Sequence, residues 1–371
     1  MIATEESRPV TARGPQHRER LDVLQAYRGL AALAVLLFHA GVGAAWFWHA
    51  DFMGGAARVG RLGVDFFFVL SGFIICHVHL DEIGHPSCAS RYLFKRWCRI
   101  YPPLFVAMLI KTAHLFVGFG VRNGGKLNAD VILNSYLLLP TDVRILDVAW
   151  SLSHEMLFYL VFLIALLSGR TLAMLLGGTW IALILALNAK ATLVTDPLPR
   201  FVFSPYNAQF LLGCVAALGF RMTVRPITGW LALGAGAGLL GFGWSAYDAL
   251  RAGGEAFRCY YWGVGFFLVT WGTLIVGRQV PLKVPRSLMH LGDASYSIYL
   301  VHNSIQFMLM ALAVRFIGVP THVQPALWLV VLISLAGGLW YYRWVEKPML
   351  TRTNAWIVRR FPTRGAPSGS G

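Results

Sequence analysis

Ten apolar runs, each near twenty residues long, constrain this chain more than any other feature. They lie at about 26–48, 62–80, 101–120, 149–168, 171–188, 203–220, 227–247, 258–277, 292–317 and 325–345. An α-helix rises 1.5 Å per residue, so about 20 residues cover the hydrocarbon core of a bilayer. Inside that core a segment must satisfy its own backbone N–H and C=O groups, which a helix does unaided. The expected fold is therefore all-α, a polytopic membrane protein with about ten transmembrane helices. The fourth and fifth runs are separated only by Ser168-Gly169-Arg170, which suits a tight helical hairpin. Val131–Leu139 is too short to span and reads as an interfacial or re-entrant piece. Composition agrees: 57% of the 371 residues are hydrophobic and 13% are charged. An ordinary soluble domain runs nearer 45–50% apolar and 25% charged. The balance excludes a disordered chain. Five cysteines without CxxC or Cys/His ligand spacing exclude a disulfide scaffold and leave no metal site to expect.

The charges that remain are lopsided, 32 Lys and Arg against 17 Asp and Glu, a net of +15. Nucleic acid, acidic lipid, membrane topology and an anionic substrate would each explain that excess. With the amino terminus inside, twenty of the 32 basic residues fall in cytoplasmic segments, ten fall outside, and only Arg28 and Lys111 lie within spans. Cytoplasmic loops are enriched in Lys and Arg, so both termini are expected in the cytoplasm. The spread over many short loops argues against a nucleic-acid footprint. Residues 1–24 read as a cytoplasmic tail, 25–347 as the transmembrane domain, and 348–371 as a basic, partly disordered tail, ending in the Pro-, Gly- and Ser-rich Arg359–Gly371. The first span follows a polar tail of about 25 residues, too far from the start for a cleaved signal peptide.

An ionisable group inside a span is costly unless paired or wetted, so each marks a candidate site. The first span carries Arg28 near its inner end and His39 eleven residues later. That is roughly 16 Å of axial travel and close to three turns, so both fall on nearly one face. The blander reading of Arg28 is a snorkelling anchor, and of His39 a structural histidine. Asp65 opens the second span near the outer edge, where a first-turn acid also complements the helix dipole. The following Ser71-Gly72 suits close helix packing. Arg96 and Arg99, spaced i, i+3, share a face at the inner end of the third span. Two guanidiniums there can grip a phosphate, or simply anchor the helix inside. Lys111 and His114 lie deeper on that span without an assigned role. Glu155 enters one turn into the fourth span and needs a partner, for which His39 is the natural candidate. His302 sits ten residues up the ninth span, at a depth like that of His39. The groups form two layers, arginines at the cytoplasmic edge and His39, Glu155, Asp65 and His302 toward the far side. A histidine beside a carboxylate is an arrangement for general-base work.

Taken together and in order, several segments resemble the acyltransferase-3 family of integral membrane O-acyltransferases, with the bacterial exopolysaccharide O-acetyltransferases as the nearest group. They are Leu21-Asp22-Val23-Leu24-Gln25-Ala26-Tyr27-Arg28-Gly29-Leu30, the Arg28/His39 spacing, Gly63-Val64-Asp65-Phe66-Phe67-Phe68-Val69-Leu70-Ser71-Gly72-Phe73, and Arg96-x-x-Arg99-Ile-Tyr-Pro. Trp150-Ser151-Leu152-Ser153-x-Glu155, Ser295-Tyr296-Ser297-Ile298-Tyr299-Leu300-Val301-His302 and Val345-Glu346-Lys347-Pro348 continue the series. The resemblance implies a bacterial inner-membrane enzyme that takes acetyl or another short acyl group from cytoplasmic acyl-CoA. The acceptor is a hydroxyl of a glycan or glycolipid, and no metal is used. It implies Arg28, Arg96 and Arg99 at the donor, His39 as base or acyl relay, and Glu155 or Asp65 orienting it. Trp150, Ser153, Tyr299, His302 and Asn303 are expected to meet the acceptor. Membrane lipids are partners, polysaccharide-synthesis machinery is a further one to consider, and oligomeric state is left open. Some relatives carry an extracytoplasmic esterase-like domain, which is not expected here because the chain ends soon after its last span. The competing class is a secondary transporter that uses the same His, Glu and Arg groups as a relay. It usually shows internal repeats with broken helices, and none is evident. A sensor or scaffold would not need so many intramembrane charges.

Overall fold

The computed structural model describes residues 15–117, 127–189 and 196–361. The expected disorder of Arg359–Gly371 falls largely outside them, as does most of the amino-terminal tail. Among the described residues there is no strand, and ten long helices account for the ten apolar runs. They are α1 (Pro15–Phe47), α2 (Leu62–His79), α3 (Ala89–Val117), α5 (Trp150–Ser168), α6 (Arg170–Asn188), α8 (Pro205–Arg221), α9 (Pro226–Ser245), α11 (Glu255–Val276), α13 (Ser295–Phe316) and α14 (Val323–Tyr341). Short helices fill the connections, α4 (Ala129–Tyr136), α7 (Pro197–Val202), α10 (Tyr247–Ala252) and α12 (Arg286–Asp293), and α15 (Lys347–Arg360) follows α14. Nine helical stretches among the described residues are long and apolar enough to cross a membrane, and α3 is the expected span not among them. Lys95, Arg96 and Arg99 in its first half, with Lys111 and His114 further along, dilute its apolar character. Gly169, at φ 86°, turns the α5–α6 hairpin that the three-residue spacing predicts.

Helix α4 occupies the expected interfacial or re-entrant piece. Asn128 caps it through the Asp130 N–H. Its far end packs on the middle of α3, where Tyr136 stacks on Phe105 and Tyr101 reaches the Leu137 carbonyl.

The centre of the bundle joins α1, α2, α8, α11 and α13, with α14 against α13 and α9 against α11. Helices α6 and α9 leave most of their surface outward, as lipid-facing helices do. Helix α2 packs on α8 at backbone distance because Gly72 and Gly213 face each other. A Cβ on Gly72 would meet the Phe210 carbonyl oxygen at 2.0 Å, and one on Gly213 would meet that of Val69 at 2.1 Å. The same contact sets Ser71 into the interior. Helix α14 passes through one π-helical turn, Tyr342–Glu346, into α15. That wider turn, a form often found at functional sites, places the Glu346 side chain fully inside at 0% exposure.

Candidate active site

The three arginines expected at the donor converge. Arg28 of α1 and Arg96 and Arg99 of α3 line one cavity of about 330 Å³. Lys95 shares its mouth, while Ser71, Ser151, Glu155, Tyr159 and Tyr299 line its interior. A second cavity of about 250 Å³ adjoins it across Arg28, Arg99, Leu350 and Asn354, and adds Lys347. Both are thus rich in basic groups. Pro102 and Pro103 fall inside α3, so the carbonyls of Cys98 and Arg99, one turn earlier, have no helical N–H donor.

Each arginine is held by a different device. Arg28 donates to Gln25 (3.2 Å), whose amide donates to Asp293 (2.7 Å). The close crossing of α1 on α12, where a Cβ on Gly292 would strike the Gln25 carbonyl at 2.1 Å, fixes that chain of contacts. Arg96 lies over the rings of Tyr92 and Tyr159, each centroid 5.8 Å away, and donates to His79 Nε2 (2.9 Å). His79 Nδ1 faces Glu82 at 2.6 Å. An acceptor role at Nε2 requires the proton on Nδ1, so Glu82 and Arg96 together select the neutral tautomer. Arg99 forms an ion pair with Glu346 (2.8 Å), whose other oxygen accepts from Ser297 (2.5 Å).

The layer beyond departs from expectation. Glu155 accepts from Tyr159 (2.5 Å) and Ser71 (3.5 Å), and its charge faces Arg28. It therefore sits in the cavity with the arginines and is not the hydrogen-bond partner of His39. Asp65 accepts from Gln209 (2.7 Å), whose amide also reaches the Cys259 carbonyl. It belongs to a polar cluster of α2, α8 and α11 with Arg258 and Arg61, and it does not pair with His39 either. In both cases a depth counted along the sequence does not select the partner; the packing of neighbouring helices does.

The partner of His39 is His302. Nε2 of His302 lies 3.0 Å from Nδ1 of His39, with ring centroids 4.9 Å apart. His302 Nδ1 is 2.9 Å from the Ile298 carbonyl, and His39 Nδ1 is 3.0 Å from the Val35 carbonyl. A carbonyl only accepts, so His302 carries its proton on Nδ1 and presents a bare Nε2. His39 then donates from Nδ1, toward both Val35 and His302, and its Nε2 keeps a free lone pair. Asp147 is exposed at the start of the segment before α5. Arg144, in the loop before it, has a lowered pKa because burial outweighs the pull of Asp142 and Asp147.

Of the residues expected at the acceptor, Tyr299 lines the cavity. Its hydroxyl contacts Ser151 (2.7 Å) and the Val148 carbonyl (2.9 Å), and its ring lies 6.0 Å from that of His302. Tyr299 thus stands between the basic cavity and the imidazole pair. Trp150 and Ser153 are outside that lining; Trp150 packs with Phe68, His154 and Tyr206, and Ser153 is buried. Asn303 is buried beside His302 with its Oδ1 unsatisfied. Sequence reasoning missed Glu346, His79 and Tyr159. Glu346 closes an apolar run, so the cost of a membrane carboxylate was a usable signal for it. His79 sits at a helix end, where polar residues are ordinary, and nothing local marked it.

A domain profile described as "Acyltransferase domain" matches residues 21–343. The exopolysaccharide production protein ExoZ of Rhizobium meliloti is 26% identical, over 86% of this chain and 96% of its own length. Nodulation protein 10 of Rhizobium leguminosarum is 25% identical, over 93% of this chain and 96% of its own. Acyltransferase MdmB of Streptomyces mycarofaciens is 32% identical across 40% of each chain. No solved structure matches.

Proposed function

Because this chain belongs to the acyltransferase-3 family, a multi-pass membrane acyltransferase, we propose that it moves an acyl group, most simply acetyl, from cytoplasmic acyl-CoA to a hydroxyl of a surface glycan or its lipid-linked precursor. The name of the exopolysaccharide relative supports a glycan acceptor. The basic cavity supports a phosphorylated donor. Arg28, Lys95, Arg96 and Arg99 supply guanidinium and ammonium groups for phosphates at one mouth, with Lys347 in the adjoining space. Acyl-CoA supplies the acyl group as an activated thioester.

The observation that carries the reading is the imidazole pair with its fixed tautomers. His39 Nε2 takes the proton of the acceptor hydroxyl, and the freed oxygen bonds to the acyl carbon as the carbon–sulfur bond breaks. The departing thiolate recovers the proton from His39. His302 Nε2, accepting from His39 Nδ1–H, stabilises the imidazolium that forms between those steps. Tyr299 borders both the donor cavity and the pair, and marks where donor and acceptor meet. Passage of the acyl group through a covalent adduct on His39 uses the same residues. Glu155, beside Arg28 and Tyr159, is assigned to the donor cavity and not to the orientation of His39.

General-base assistance contributes about 10²–10⁴-fold to rate. His39→Ala should lower acyl transfer by that factor in membranes while acyl-CoA affinity is retained, whereas Arg96→Ala should weaken acyl-CoA binding. Full turnover in a folded His39→Ala protein would sink the assignment.

A further inference from the structure

Lys111 and His114 of α3 take no part in the reaction outlined above, yet they face a cavity of their own. It has a volume of about 270 Å³ and lies between α3, α13 and α14. Its walls are apolar, formed chiefly by Leu300, Ile305 and Met308 of α13 and by Trp340 of α14. Tyr341 closes one end through a hydrogen bond from its hydroxyl to the Pro103 carbonyl. The rim residues Ile110 and Trp340 are each 59% exposed, so the groove opens sideways, toward what the bundle presents to lipid.

Lys111 is only 8% exposed, so it does not snorkel to the surface. One turn further along, His114 brings a buried Nε2 that has no hydrogen-bond partner. Residues three apart share a helix face, so both nitrogens address the same groove. No acidic residue is among the groove's described lining. A lateral apolar groove with two basic groups fits a chain-like lipid whose headgroup is anionic. Two nitrogens at one place match a terminal phosphate, which carries up to two charges, better than the singly charged phosphodiester of a bilayer phospholipid.

We propose that this groove holds a lipid phosphate of the polyisoprenyl type, its phosphate on Lys111 and His114 and its chain along α13 and α14. Val301 lines the groove, and its neighbour His302 pairs with His39 at 3.0 Å. A glycan joined through a second phosphate, so that the diphosphate keeps two charges at the groove, would be carried close to that pair. This last step rests on the acyl-transfer reading; the binding itself does not.

The test is native mass spectrometry of the full chain in detergent with three probes: a polyisoprenyl monophosphate, the polyisoprenol of equal length, and phosphatidylglycerol. The unaltered protein should retain the monophosphate about tenfold better than either other probe, the scale expected of charge-assisted hydrogen bonds. His114→Gln should reduce that preference and Lys111→Gln should remove it, with Lys111→Arg restoring it. Equal retention of the alcohol, an equal or greater hold on phosphatidylglycerol, or a preference unmoved in both glutamine variants overturns the proposal. Acetyl-CoA binding is measured on the same samples. A wrong donor assignment shows as absent acetyl-CoA binding with lipid preference intact, and a wrong groove shows as the reverse.

Discussion

His39 owes its free Nε2 to two backbone carbonyls and a second imidazole, with no carboxylate bonded to it among the described residues. The Ile298 carbonyl sets the proton of His302, and His302 in turn helps hold the proton of His39 on Nδ1. In the proposed reaction His302 is a positioning residue, and its replacements should rank by chemistry. Glutamine can still accept from His39 Nδ1–H; phenylalanine cannot. His302→Phe should lower turnover by roughly 10²-fold or more, as loss of tautomer control does in hydrolytic triads. His302→Gln should lose less, and both should bind acyl-CoA as before. Turnover measured against donor concentration separates these effects, and normal turnover in a folded His302→Phe protein would end the tautomer argument. The arginines follow a similar logic. Each is held by a residue from another element or by a neighbour that such a residue fixes, so their side chains are in place before any phosphate arrives.

At the scale of elements, glycines decide where the helices meet. The α2–α8 crossing brings Gly213 within reach of the Val69 carbonyl, leaving no room for a methyl group. Gly213→Ala should therefore destabilise the protein by about 1–3 kcal/mol through overpacking, and should disturb Ser71 beside Glu155. Gly178, in lipid-facing α6, has open space where an added methyl group would sit, with no neighbouring atom within 4 Å. Gly178→Ala should be neutral or add up to about 1 kcal/mol from helix propensity. Thermal unfolding of the two variants in detergent compares them directly, and equal midpoints would contradict the packing account. The π turn at Tyr342–Glu346 acts differently. It rotates Glu346 into the bundle to meet Arg99, and carries Leu350 and Asn354 of α15 to the cavity wall.

Across the whole molecule, the basic cavity and the imidazole pair lie at successive depths, an arrangement suited to a donor entering from one side and an acceptor reaching the other. On the proposed reading the donor side is the cytoplasm, as the bias of Lys and Arg in the loops predicts. A membrane-impermeant maleimide should label Asp142→Cys in intact cells, and Arg352→Cys only after permeabilisation, in a background free of the native cysteines. The opposite pattern would invert the topology and exclude a cytoplasmic donor. Sequence by itself determined the helices, the polar groups they bury and the approximate depth of each. Hydropathy is local, and depth follows from residue count at 1.5 Å per residue. The meeting of Arg28, Arg96 and Arg99 was legible on those grounds, because a shared depth at the cytoplasmic edge leaves little choice. The partners of the deeper groups were not. The residue count puts His39 and Glu155 at similar depths, yet His39 meets His302 and Glu155 meets Tyr159 in the arginine cavity, while Asp65 turns to Gln209. Those pairings depend on the rotation of each helix about its axis. Contacts between residues far apart in the chain set that rotation, through glycine crossings and side-chain packing that only the tertiary structure decides.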